Sequence, residues 1–368
     1  MSLNAQEIER YQRHLSLAGF GAAAQERLKR SSVLVIGAGG LGCPALLYLA
    51  AAGVGRIVIV DSDRVEVSNL QRQVLFTTED KGKPKAEAAR ARLLALNPLI
   101  EVEAHVTRFV RSNALGLVGS VDLVVDGSDN FATRYLVNDA CVLAGKPLVY
   151  GAIQGFEGQL SVFNFRGGPT YRCLFPEPPE PGTVPNCSEN GVLGVLPGII
   201  GTLQASEALK VLAGIGQPAS GRLLLIHALT METTSVALPV DPASRQITEL
   251  PPEGYGETCA VPLTSPDEVT PGELRSALAG DRPPQLIDVR EAWERALGQI
   301  APSCHLPLGE LAAGNLGAIE SLDPTLPTVV YCAHGMRSLR GMSILRERYG
   351  FSQVVSLSGG YAEWSGTD

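Results

Sequence analysis

Apolar residues recur along the chain as short uncharged runs separated by amphipathic stretches, and that alternation predicts the elements. The first 30 residues read as amphipathic helix, with Tyr11, Leu15, Leu17 and Phe20 set among charges. Val33-Leu34-Val35-Ile36 and Ile57-Val58-Ile59-Val60 are continuous apolar runs, as expected of strands covered on both faces. An Ala/Leu-rich helix lies between them, ending at Ala52. Lys85 to Leu96 reads as a helix and Val121 to Val125 as a further strand. Strand alternating with helix predicts a mostly parallel sheet with right-handed crossovers. Residues 176–191 are rich in Pro, Glu and Gly and predict an exposed loop. A helix is expected from about Ile199 to Leu212, and strands within residues 222–240.

Pro239 to Pro266 changes to Pro, Gly and Glu and reads as a linker, with domain limits of 1–250 and 266–368 around a segment 251–265. Beyond it the pattern restarts. Leu286 to Val289 and Thr328 to Tyr331 read as strands. Arg337 to Tyr349 reads as a helix closed by Gly350, with Leu339, Met342 and Leu345 on one face. The fold class is therefore α/β throughout, a larger unit followed by a small one, without internal repeats.

Composition narrows the functional classes. A net charge of -8 argues against nucleic acid as the main partner while leaving room for a local basic pocket. Seven scattered cysteines fit individual thiols in a reducing compartment better than a disulfide framework. Met1 to Arg10 is polar and charged, unlike a signal peptide. The most apolar stretch, Val192 to Ile215, is broken by Pro197, Glu207 and Lys210 and suits a buried helix rather than a membrane span. A soluble cytoplasmic protein is expected.

The first candidate site is Gly37-Ala38-Gly39-Gly40-Leu41-Gly42, a G-x-G-x-x-G turn directly after a strand and opening a helix. Backbone N–H groups there can face a phosphate, and Asp61 at the end of the next strand can accept from ribose hydroxyls. Alone, this points to a dinucleotide. Arg72, inside Ser68-Asn69-Leu70-Gln71-Arg72-Gln73, and Lys85, inside Gly82-Lys83-Pro84-Lys85, shift the reading. A nicotinamide pocket has no use for these cations. A carboxylate attacking the α-phosphorus of ATP has, because charge builds on the phosphoryl oxygens. A solvated basic face is the plain alternative. Asp129, after the 121–125 strand, is either a helix N-cap or a hard oxygen ligand for Mg²⁺.

Together these segments resemble the ThiF/MoeB branch of the ubiquitin-activating-enzyme superfamily. Arg10 to His14, the glycine turn, Ala52 to Gly55, Ser68 to Gln73, Gly82 to Lys85, Asp126 to Asn130, Gly158-Gln159 and Gly201 to Lys210 match in order over about residues 5–240. The resemblance implies a homodimeric Rossmann-like adenylation domain. In it, Gly37, Gly39, Gly40, Gly42, Asp61, Asn69, Arg72, Gln73, Lys85 and Asp129 bind ATP, with Asp129 at the Mg²⁺. Arg13 would reach a nucleotide in the partner subunit. The substrate would be the Gly-Gly tail of a ubiquitin-like sulfur carrier of the ThiS, MoaD or Urm type, threaded into a groove at the sheet's C-terminal edge.

Cys187, in Val184 to Ser188, matches the family's loop cysteine, which can form a thioester or acyl disulfide; an incidental surface thiol is the alternative. One departure stands out. Relatives carry two C-x-x-C pairs holding zinc, whereas Thr170-Tyr171-Arg172-Cys173 keeps one cysteine and the linker offers only Cys259. Two sulfurs do not make the site, so no zinc is expected, with Cys173 a buried thiol; a Cys173–Cys259 disulfide is the alternative that a reducing cytosol disfavours.

In the second unit, Cys332-Ala333-His334-Gly335-Met336-Arg337-Ser338 follows a strand and opens a helix, a cradle for a thiolate able to carry a persulfide. Leu286 to Glu291, Pro307 to Leu311 and Leu357 to Trp364 resemble a rhodanese, although Gln299-Ile300-Ala301-Pro302 departs from that family's pattern. The resemblance makes Cys332 the sulfur carrier and Arg337 its anion stabiliser, while His334 only shapes the loop. Thiosulfate or a cysteine desulfurase would supply sulfur. The rival readings are an NAD-linked enzyme with an accessory thiol domain, an inactive scaffold, and adenylation of a small molecule.

Overall fold

The structure is a computed structural model that describes residues 2–178, 191–251, 255 and 267–366. It divides into two compact units, Met1–Cys259 and Ala260–Asp368.

The first unit is built on an eight-stranded sheet of order β3-β2-β1-β4-β5-β6-β7-β8. These strands are β1 (Ser32–Ile36), β2 (Arg56–Val60), β3 (Glu101–His105), β4 (Leu123–Asp126), β5 (Leu148–Gln154), β6 (Glu157–Phe163), β7 (Arg222–His227) and β8 (Thr233–Ala237). Strands β3-β2-β1-β4-β5 are parallel and β6, β7 and β8 join antiparallel. The parallel core is where the apolar runs lie: Val33, Leu34, Val35, Ile57, Val58 and Ile59 are all buried, because crossover helices cover both faces. The chain leaves β1 for β2 and β3 on one side and returns to β4 on the other, which opens a crevice between the ends of β1 and β4.

The helix Val195–Ala213 packs across Gly42–Ala52 and against β5. It starts earlier than its sequence pattern suggests, since Pro197 falls in the first turn, where proline costs no hydrogen bond. Among the described residues no helix is long and apolar enough to cross a membrane. The N-terminal stretch is broken into helices Ala5–Arg10, Gln12–Leu15 and Gly21–Arg30; Tyr11 is buried while Leu17 is exposed. The segment after β8 is not all tether. Leu238 and Leu250 join the core, and Tyr255 packs on Tyr135 and donates to Asp139, which Arg172 grips at 2.9 Å. Most of the loop expected at 176–191, including Cys187, lies outside the described residues.

The second unit has an all-parallel sheet of order β11-β10-β12-β13-β9, made of β9 (Glu268–Val269), β10 (Gln285–Asp288), β11 (Cys304–His305), β12 (Thr328–Tyr331) and β13 (Val354–Leu357). The helix Met336–Tyr349 lays Met342 and Leu345 on it and ends at Gly350 with φ 73°. Its frame is a buried fork: Arg290 donates to Asp288 at 2.9 and 2.8 Å and lies 4.2 Å from the Tyr361 ring centre.

Candidate functional site

The glycine turn exists because nothing larger fits. A Cβ on Gly42 would overlap the Gly37 carbonyl oxygen, and one on Gly37, whose φ is 87°, would stand 2.9 Å from the Gly127 oxygen. The turn after β1 therefore nests against the turn after β4, at the crevice. Asp61 ties the arrangement to β2: one carboxylate oxygen accepts the Ala38 N–H and the other the Asp63 N–H, both at 2.7 Å. Burial pushes this carboxyl above the ordinary aspartate value, against the pull of those N–H groups and of Lys85.

The cations gather at the same turn. Lys85 is buried and donates to Asp63 at 2.9 Å, with its own N–H on the Asp63 carbonyl at 2.8 Å. Arg72 donates to the Ser68 carbonyl at 3.2 Å and has no carboxylate partner among the described residues; its Cδ lies 3.6 Å from where a Gly40 Cβ would be. Gln73 is only 3% exposed, yet its Oε1 accepts no hydrogen bond among the described residues. Its side chain lies beside Gly39, with Nε2 3.8 Å from where a Cβ would be, and a buried acceptor left open there fits a ligand donor. Asn69 begins the turn that carries both: its carbonyl accepts the Arg72 and Gln73 N–H groups at 3.0 and 2.9 Å. The glycines, Asp61, Asn69, Arg72, Gln73 and Lys85 are thus one constellation.

Asp129 is exposed on the loop after β4. The capping alternative is overturned, because the next residue, Asn130, caps the helix Phe131–Ala144 by accepting the Thr133 N–H at 2.8 Å. An exposed carboxylate without a donor among the described residues fits a hard cation such as Mg²⁺. Arg13 is exposed on its short helix.

Cys173 is half-exposed rather than buried, and among the described residues the segment facing it is Asp241–Ser244; Cys259 lies outside the described residues. Its Sγ lies 3.1 Å from Ser244 Oγ and accepts the Asp241 and Thr170 N–H groups, each at 3.3 Å. Burial alone would raise this thiol, but those bonds outweigh it and hold it below the ordinary value. Among the described residues, one thiol among hydroxyls and amides does not fit a four-thiolate zinc.

In the second unit, Cys332 sits at the end of β12, 1% exposed, under the N-terminus of the helix Met336–Tyr349. Its Sγ accepts the Gly335 N–H at 3.1 Å, and the Ser338 hydroxyl stands 3.5 Å away. Gly360 is required by close approach, since a Cβ there would come within 2.5 Å of the Cys332 carbonyl oxygen. Arg337 does not bond the sulfur. Both its arms go to Glu294, at 2.8 and 2.5 Å. His334 is exposed.

The sequence analysis does not single out Asp63 or Glu294, and it names Asp126 only as part of the Asp126–Asn130 run. Asp126 is buried at the end of β4 with its carboxyl raised by burial, and Gln204 donates to its carbonyl at 2.6 Å, linking strand to helix. An acid two residues after Asp61, and a Glu-x-x-Glu step from the N-cap Glu291 to Glu294 in the first turn of the helix Ala292–Ala296, are the available signals.

Residues 11–246 match the ThiF family, and residues 270–367 match the rhodanese-like domain. The chain is 45% identical over 374 residues to the "probable adenylyltransferase/sulfurtransferase MoeZ" of Mycobacterium tuberculosis, covering 99% of this chain and 94% of that one. It is 60% identical over 234 residues to a "sulfur carrier protein adenylyltransferase" of Thermus thermophilus, covering 62% of this chain and 86% of that one. The crystal structure of E. coli MccB with MccA-N7isoASN shares the fold, with a TM-score of 0.57 at 23% identity over 65% of this chain and 74% of that one.

Proposed function

The chain belongs to the ThiF family and carries a C-terminal rhodanese-like domain, and from that premise we propose that it activates a sulfur-carrier protein and then supplies the sulfur. The chain is an enzyme, an adenylyltransferase and sulfurtransferase. The observation that carries the finer reading is the constellation at the crevice, open acceptor and unneutralised arginine included, in one polypeptide with a thiol cradled at a strand end.

In the first step, the terminal carboxylate of the carrier's Gly-Gly tail attacks the α-phosphorus of ATP, and pyrophosphate leaves. The glycine turn offers its N–H groups to the phosphates. Asp61, already oriented by Ala38 and Asp63, accepts from the ribose. Gln73 and Asn69 line the pocket. Lys85 and Arg72 oppose the charge that develops on the phosphoryl oxygens, an effect of several kcal/mol per positioned donor. Mg²⁺, held by Asp129, would neutralise triphosphate charge when bound. Arg13 acts on the partner subunit's nucleotide in a homodimer.

In the second step, the Cys332 thiolate attacks the sulfane sulfur of a donor such as thiosulfate, with sulfite leaving, or receives sulfur from a cysteine desulfurase. The persulfide's outer sulfur attacks the acyl adenylate and AMP leaves, giving an acyl disulfide. A second thiol, Cys187, displaces the thiocarboxylate and forms a disulfide with Cys332, which a cellular dithiol then reduces. The carrier would belong to a thiamine, molybdopterin, tRNA-thiolation or cysteine route. The protein acts in the cytoplasm, without nucleic-acid or membrane partners.

The test is ATP–pyrophosphate exchange with each Gly-Gly protein of the same cell. Exchange that requires one of them is the expected result. Exchange without any carrier overturns the protein substrate, and tight NAD binding with no exchange overturns the adenylation reading.

A further inference from the structure

Arg337 lies in the first turn of the helix Met336–Tyr349, between Gly335, whose N–H bonds the Cys332 Sγ, and Ser338, whose hydroxyl stands 3.5 Å from it. A free guanidinium there would press the thiol toward its anion. The guanidinium is not free. Glu294 takes both arms, at 2.8 and 2.5 Å, is itself only 9% exposed, and is fixed by the Glu291 N–H at 2.9 Å. Burial alone would raise the Glu294 carboxyl; the Arg337 fork and that N–H outweigh it, so the fork is an ionised pair. Among the described residues, the groups that touch the sulfur are uncharged: the Gly335 N–H, the Ser338 hydroxyl and the end of the helix that follows.

That matters for delivery. A sulfur anion held too well is a weak nucleophile, because attacking power falls as basicity falls. We propose that Glu294 is a positioning residue for sulfur transfer, holding Arg337 as a charge-neutral fork so that Cys332 and its persulfide are cradled by dipoles and stay reactive. This rests on reading Cys332 as the sulfur carrier.

Other charges surround the loop. Asp288 is forked by Arg290 at 2.9 and 2.8 Å, with Arg295 at 3.8 Å, and His305 Nε2 lies 2.8 Å from the Arg290 carbonyl. Glu291, His334 and Glu363 are exposed. All stay constant across the variants below, so differences isolate the fork.

The experiment uses the full chain and methyl methanethiosulfonate, a small neutral probe, following the rate at Cys332 by peptide mass across the thiol's titration. Glu294→Gln leaves Arg337 charged and unneutralised. Its midpoint should fall by about one pH unit, and the limiting rate above the midpoint should fall roughly threefold. Arg337→Gln leaves the glutamate, and its midpoint should rise. The double variant should return toward wild type. An unchanged or raised midpoint in Glu294→Gln, or both single variants moving the same way, overturns the proposal. If Glu294→Gln does not fold, an Arg337→Gln midpoint at or below wild type overturns it equally. Persulfide loading of wild type is measured in parallel. If neither thiosulfate nor a cysteine desulfurase loads Cys332, the carrier reading has failed; if loading is normal and the midpoints do not separate, only the role of Glu294 has.

Discussion

The crevice of the first unit and the thiol loop of the second sit at equivalent points, each where a parallel strand ends and a helix begins, but they treat positive charge in opposite ways. At the glycine turn Arg72 bonds, among the described residues, only a carbonyl, and Lys85 leans on Asp63, whose carboxylate is exposed to solvent. At the sulfur loop Arg337 is fully engaged by buried Glu294. The difference fits the function proposed for each site. A pocket that makes an electrophile has to meet a triphosphate and needs cations with capacity to spare. A loop that delivers a nucleophile has to hold sulfur without disarming it, and dipoles suffice. Charge placement, more than fold, separates the two chemistries.

The largest expected effects break the pair cleanly. Asp129→Ala should abolish carrier-dependent pyrophosphate exchange, by about three orders of magnitude or more, while leaving persulfide loading of Cys332 untouched. Cys332→Ala should do the reverse: normal exchange and no persulfide by mass. A variant that loses both activities while remaining folded contradicts the division. Next in size, Lys85→Met and Arg72→Ala should each cost roughly a hundredfold in exchange rate, the usual loss for one positioned donor. Equal losses in thiosulfate turnover would mean that these residues serve folding rather than phosphate.

Acid gives the smallest and sharpest contrast. The Asp61 carboxyl lies above the ordinary aspartate value because burial disfavours its charge, so as pH falls it takes a proton earlier than an exposed aspartate. Glu294 lies below its ordinary value and keeps its charge longer. Its depressed carboxyl contributes stability that is present above the unfolded-state value and is lost only as pH falls through the folded one. Nucleotide binding, read by calorimetry, should therefore weaken on acidification before the second unit loses stability. Asp61→Asn should remove that acid limb. The opposite order would refute the assignment of Asp61 as the ionised ribose acceptor.

Much of this was legible in the chain because it is local. The glycine turn, Asp61 and the Cys332 loop are set by spacing along a single strand–turn–helix step, and the backbone carries that spacing directly into geometry. What the sequence concealed depends on closure. Glu294 meets Arg337 across 43 positions, and Asp241–Ser244 meets Cys173 across about 70, so neither pairing has a local signal. The choice of Asn130 over Asp129 as cap turns on one residue of helix phase, a margin that side-chain preference cannot resolve, since both residue types cap well. The Pro- and Gly-rich stretch after β8 read as tether from its composition, yet Leu238 and Leu250 are buried in the apolar cluster that includes Tyr135 and Tyr171.

The measurement closest to the central claim is the mass of the carrier's C-terminus after incubation with ATP, this protein and thiosulfate. The account predicts exchange of one oxygen for one sulfur on the terminal glycine, requiring ATP and lost in both Asp129→Ala and Cys332→Ala. An unchanged carrier, or a thiocarboxylate formed equally well by Cys332→Ala, would contradict it.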